Sequence, residues 1–326
     1  MSPETLVAAA GLGCVLLYGL LGGADFGGGI WDLCATGPRR KEQQAAIAKA
    51  MGPVWEANHV WLIFVIILLF TAYPPAFAAL SIGLFGVFHF VLVGITLRGA
   101  AFVFRGHETT DDADPWGAVF GIASVITPVL LGMAVGAVSS GHLRVQDGVV
   151  TSDGPTPWLS PIALLIGALA LAICAYLAAV YLTLETRDEL REDFRRRALL
   201  AGTFVVALTI LALPLMRLEA PHLFAGLLHW RSAPVFAGGL LATLASGWFL
   251  WQRLFFWARA AAIAQTALLL GGWGLAQYPF LIYPDVTLQS SAAPPATLWF
   301  VIYALPIGAA LLVPSLWLLM KVFKTK

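Results

Sequence analysis

Apolar residues along this chain gather into long runs separated by short polar stretches, with neither the strict alternation of strands nor the narrow stripe of soluble helices. Nine runs are long enough for a helix to cross a hydrocarbon core, which takes about 20 apolar residues. They cover approximately 6–34, 54–71, 76–104, 116–139, 159–184, 198–218, 233–252, 257–277 and 297–320. The stretches between them carry turn and charge signals, among them GPRRKEQQ, AYPP, RGHETTDDADP, RDELREDFRRR and QYPFLIYPDVTLQSSAAPP. The pattern predicts an all-α polytopic membrane protein of nine helices in a single integral membrane domain, 1–326. The sharply basic stretch at 185–197 follows the fourth run. It suggests two four-helix bundles, helices 1–4 over about 1–140 and helices 5–8 over about 158–278, with a single C-terminal helix at about 296–321.

Composition agrees with that reading. Hydrophobic residues make up 60% and charged residues 11% of the chain, where a soluble domain carries about 25% charged residues. Mean hydropathy is +0.84. A net charge of +1 over 326 residues gives no field for a nucleic-acid partner. With nine spans, sixteen of the 19 Lys and Arg residues fall on one side, and only Arg144, Arg217 and Arg231 on the other. The positive-inside rule then sets the N-terminus outside and the C-terminus in the cytoplasm. The first apolar run has no basic n-region, outlasts a signal peptide and contains Asp25, so a retained first helix is expected. Cys14, Cys34 and Cys174 have no metal or disulfide spacing and read as small packing residues.

Ionisable groups inside a span are costly and point to function. Asp25, Glu56, His59, His89 and Arg98 form the short list. At ~1.5 Å per residue, Asp25 is on the order of 13 Å from the cytoplasmic end of its helix, and Arg98 on the order of 9 Å from the same side. Glu56 is about one turn in from that side, with His59 at i+3 on the same face. Two acids and an arginine from three consecutive helices thus converge in the cytoplasmic half. A proton relay needs such a chain of carboxylates. An Asp25–Arg98 ion pair that only fixes helix register accounts equally well for two of them, and Glu56 could simply cap its helix.

Of the six histidines, only His59 and His89 lie clearly within spans, and no spacing sets them on a common plane as haem ligands. Gly19, Gly23 and Gly27 recur every four residues, which allows close helix approach or a local opening of the backbone near Asp25. The 12 Trp and 20 Phe read mainly as interfacial belt and lipid contact. The loop 277–297, with four prolines and Asp285 as its one charge, should lie on the membrane surface or against a partner.

Several segments resemble the non-haem subunit (subunit II) of cytochrome bd-type quinol oxidases. They are GADFGGGIWDL at 23–33, GPVWEANHVWLIFV at 52–65 followed by TAYPPAFAAL, LRGAAFVFR at 97–105 and QYPFLIYP at 277–284. The resemblance implies a subunit of a respiratory oxidase of the bacterial or archaeal cytoplasmic membrane, which oxidises membrane quinol and reduces oxygen to water. It implies that haems b and d, or a b-type variant, sit on the partner subunit I, with no cofactor or metal bound firmly by this chain. It leaves room for a structural quinone or lipid and for small single-helix accessory subunits. By motif position, Asp25, Glu56 and Arg98 match the family's proton-uptake or core-stabilising residues, flanked by Trp55 and Asn58. Glu56 stands where aspartate is frequent and His59 where glutamine can stand. A secondary transporter using intramembrane carboxylates is the competing expectation, and a purely structural scaffold subunit a third.

Overall fold

In the computed structural model, which describes residues 2–51, 55–105, 115–152 and 157–324, the apolar runs become long helices. The first, α1 (Pro3–Leu33), begins at a proline whose missing N–H costs nothing in a first turn and runs unbroken through Gly27–Gly29. The backbone therefore does not open beside Asp25. The glycines serve approach instead: a Cβ on Gly27 would meet the Cys174 carbonyl oxygen at 1.9 Å, and one on Gly29 would meet Ser124 Oγ at 2.0 Å.

Next come α2 (Arg40–Met51), a short polar helix, and α3 (Trp55–Ala72). Tyr73 ends α3, and Pro74–Pro75 start α4 (Pro74–Gly83) on a new axis bent by 120° from it. Then α5 (Phe85–Arg105) descends as the next span. The expected span 76–104 is thus two helices broken at Leu84, and only its second part crosses. Hydropathy cannot register a change of direction inside an apolar run.

Beyond it lie α6 (Pro115–Ser140), a hairpin of β1 (Val145–Gln146) and β2 (Val149–Val150), and α7 (Pro161–Glu185), whose N-cap Ser160 accepts a bond from the Ala163 N–H. The hairpin turns on Asp147 and Gly148, both with positive φ (49° and 78°), the Asp-Gly pairing a two-residue turn demands.

The helix α8 (Asp188–Glu219) starts ten residues before the expected 198. The charged stretch is carried as helix, with Glu192 paired to Arg195 at i+3 and Arg196 at i+4. After α9 (Pro221–Leu228) come α10 (Ala233–Trp251), α11 (Phe255–Gln277), the strands β3 (Phe280–Ile282) and β4 (Val286–Thr287), and α12 (Pro295–Lys324).

Among the described residues, eight helices are long and apolar enough to cross a membrane, and nine if the bent α3/α4 pair counts as one span. The all-α polytopic expectation holds. One buried cluster joins α1, α7 and α8, and a second joins α1, α3, α5, α6 and the β3–β4 loop.

That loop folds back on its own chain. The Tyr283 N–H bonds the Val138 carbonyl and the Ala293 N–H the Ala72 carbonyl, while Asp285 accepts from Arg144 at 2.7 and 3.0 Å and from the Val145 N–H at 2.8 Å. Arg144 beside it holds the Asp285 carboxyl below the usual carboxylate range. Cys14 and Cys174 are buried as packing residues, whereas Cys34, just past the end of α1, is exposed.

Candidate functional site

From α5, Arg98 reaches across to Asp25 of α1. Its Nη1 donates to Asp25 Oδ2 at 2.7 Å, Nη2 to the Asp25 carbonyl at 3.0 Å and Nε to Ser124 Oγ of α6 at 2.9 Å. The rings of Phe26 and Phe120 close over the guanidinium at 5.0 and 4.7 Å. Arg98 is 1% and Asp25 3% exposed. Such a pair is tolerable only because nearly every polar atom of it is met. The exception is the acceptor Asp25 Oδ1, which is buried and has no hydrogen-bond partner among the described residues.

Seven residues further along each helix the arrangement repeats, with Arg105 Nη1 donating to Asp32 Oδ2 at 2.7 Å. Equal steps of two turns on parallel helices, about 10.5 Å each, keep both rungs level. The outer rung is wetter: Asp32 is 3% exposed but Arg105 is 26%. Sequence reasoning missed Asp32 because it stands at the edge of its apolar run. The shared spacing of seven in Asp25/Asp32 and Arg98/Arg105 is the signal that could have found it.

His59 projects from α3 toward the same region, its ring centroid 5.9 Å from that of Tyr18 and 5.9 Å from that of Phe26. Asn58 is buried beside it. The side chains of Glu56 and Trp55 lie outside the described residues. His89 is not part of this site: it is exposed on α5, its Nδ1–H donating to its own helix at the Phe85 carbonyl, 2.7 Å away.

Further toward the basic end, Trp31 Nε1 donates to the Ala175 carbonyl at 2.7 Å and ties α1 to α7. Arg39 clasps Asp193 of α8 with bonds of 2.9 and 2.8 Å, and Arg197 reaches Gln43 at 2.7 Å. Among the described residues no group of three His, Cys, Asp or Glu side chains could hold a metal ion.

The fold and site define a multi-pass membrane protein built around charges buried between its first, third and fourth spanning helices. The family model for cytochrome bd terminal oxidase subunit II matches residues 3–323, and the chain belongs to that family. It is accordingly a subunit of a quinol-oxidising oxidoreductase complex.

Among its relatives is a putative cytochrome bd menaquinol oxidase subunit II of Bacillus subtilis, 24% identical over 99% of this chain and 96% of that one. Cytochrome bd ubiquinol oxidase subunit 2 of the same organism is 30% identical over 59% of this chain and 57% of its own length. Cytochrome bd-I ubiquinol oxidase subunit 2 of Escherichia coli K12 is 28% identical over 61% and 53%. The chain thus aligns with little more than half the length of the latter two. The solved bd oxidase of Geobacillus thermodenitrificans shares the fold, with a TM-score of 0.83 at 22% identity and full coverage of both chains.

Proposed function

We propose that this subunit pairs with and stabilises a haem-bearing subunit I and supplies the cytoplasmic path by which protons reach the site of oxygen reduction. The observation that carries the reading is Asp25: a carboxylate almost wholly buried between spanning helices, held by Arg98 through one oxygen and unpartnered at the other among the described residues. An arginine that meets only half of a carboxylate leaves the other oxygen able to accept and pass a proton. Asp32, on the next rung toward the basic side, stands nearer the entrance. Glu56 and His59, from the start of α3, complete the proposed set, with Trp55 and Asn58 supporting the motif.

In this reading the basic side is cytoplasmic, the N-terminus lies outside, and the chain sits in the cytoplasmic membrane as one domain of two four-helix groups and a final helix. The haems, b and d or a b-type variant, belong to subunit I, and membrane quinol is oxidised there. A structural quinone or lipid and small single-helix subunits are compatible additions. Family membership displaces the transporter reading.

The test is purification of the tagged chain in mild detergent. A haem-bearing partner of similar size, reduced-minus-oxidised haem bands and quinol-dependent oxygen uptake are expected. The same preparation carrying Asp25→Asn should keep its haem bands and lose most of its turnover. Full turnover and intact proton uptake in that variant would leave only a scaffold.

A further inference from the structure

One polar group close to the ion pair has no use in it. The Tyr18 hydroxyl is buried and, like Asp25 Oδ1, has no hydrogen-bond partner among the described residues. Buried polar atoms are almost always paired, with protein or with an ordered water making about three bonds.

Tyr18 and Asp25 stand seven residues apart on α1, two turns along one face. Between them is Gly22, where a Cβ would come within 2.8 Å of Tyr18 Cε2. With no side chain at that turn, the tyrosine ring lies along the helix in the direction of Asp25, against the usual lean of helical side chains toward the N-terminus. The His59 ring lies 5.9 Å from both the Tyr18 ring and the ring of Phe26, the neighbour of Asp25 in sequence. A phenol has a proton to donate, and a carboxylate oxygen can only accept.

We propose that the Tyr18 hydroxyl and Asp25 Oδ1 share a buried water that extends the path one step beyond Asp25 and makes Tyr18 a positioning residue for that carboxylate. The water site rests on two buried polar atoms without partners among the described residues, two turns apart on one face of α1, and on the lean of the Tyr18 ring toward Gly22. Its role in transfer rests on the reading of Asp25 as a proton carrier. No covalent or redox step is involved: the water accepts a proton from one side and gives one up on the other.

The ionisable groups around Asp25 are Arg98 from α5, His59 from α3, Tyr18 from α1 itself and Cys174 from α7, whose Sγ lies 3.6 Å from the Cβ position of Gly23. From α6 the nearest polar contributor is the neutral Ser124.

The experiment uses the assembled two-subunit complex with Tyr18→Phe, which removes one hydroxyl and keeps the ring. Infrared difference spectra in H2O and D2O are compared with those of the unaltered complex, the Asp25 band being the one that Asp25→Asn abolishes. The proposal expects that band to move and an exchangeable water band to disappear. It also expects proton uptake to slow several-fold and the pH profile of oxygen uptake to shift by about half a pH unit, with haem content unchanged. An unmoved Asp25 band overturns the water site. A moved band with an unaltered pH profile and uptake rate overturns the positioning role. If Asp25→Asn leaves turnover intact while Tyr18→Phe moves the band, the proton-path reading fails and the water site stands.

Discussion

Replacing Arg98 by methionine removes the charge while keeping most of the side-chain volume. The structure gives the loss: an ion pair at 2.7 Å, bonds to the Asp25 carbonyl and Ser124 at 3.0 and 2.9 Å, and the ring faces of Phe26 and Phe120. Breaking a buried pair from one side costs about 3–5 kcal/mol. Arg98→Met belongs at the upper end, because it strands a carboxylate whose other oxygen already has no partner among the described residues. Asp25→Asn belongs at the lower end, since the guanidinium keeps its carbonyl, its serine and both rings. The double variant carries no uncompensated charge and should recover at least about 2 kcal/mol relative to Arg98→Met alone. The assay is an SDS titration of the purified complex, followed by helicity. Single variants costing under about 1 kcal/mol, the worth of an exposed pair, would refute the burial argument. A double variant costing the sum of the two singles would refute the pairing.

The outer rung should matter less: Asp32→Asn, facing an Arg105 that is 26% exposed, is expected to cost about 1–2 kcal/mol in the same titration. Gly27→Ala drives a methyl into the Cys174 carbonyl and should cost about 3 kcal/mol or more and lower the yield of assembled complex. Gly13→Ala, with open space around it, should be neutral or stabilising by up to about 1 kcal/mol. Asp285 is held below the usual carboxylate range by Arg144, so its contribution is present at neutral pH and fades as pH falls through its folded value. With Arg144 45% exposed, that contribution is about 1 kcal/mol at most. Melting temperatures of the unaltered complex and Asp285→Asn should differ at pH 7 and converge in acid.

Much of this architecture was legible because a bilayer imposes a simple demand on sequence. Long apolar runs had to be helices, and Asp25 and Arg98 stood out because charges in such runs are costly. The pairing of these two could be anticipated from depth alone. Direction within an apolar run could not, so the turn at Tyr73 and the break at Leu84 were invisible to hydropathy, although Pro74–Pro75 marked where a new helix could start. Charge also misled. The stretch from Asp188 to Arg197 reads as a loop by polarity, yet its i+3 and i+4 pairs support helix outside the membrane. The short hairpin at 145–150 was missed in the sequence, where the stretch counted only as a connection, although its Asp-Gly turn is the signal that marks it. The docking of the 278–294 loop was not, because it depends on a distant pair, Asp285 with Arg144.

The central claim is that protons for oxygen reduction enter through this subunit by way of Asp25. Its most direct test is time-resolved proton uptake by the complex in oriented proteoliposomes, with a pH dye on the side of the basic loops and oxygen delivered to the reduced enzyme. The account predicts that Asp25→Asn slows uptake at least about tenfold, roughly 1.4 kcal/mol of added barrier, with haem content and oxygen binding unchanged. Uptake at the unaltered rate in that variant, or uptake from the opposite side, would contradict it.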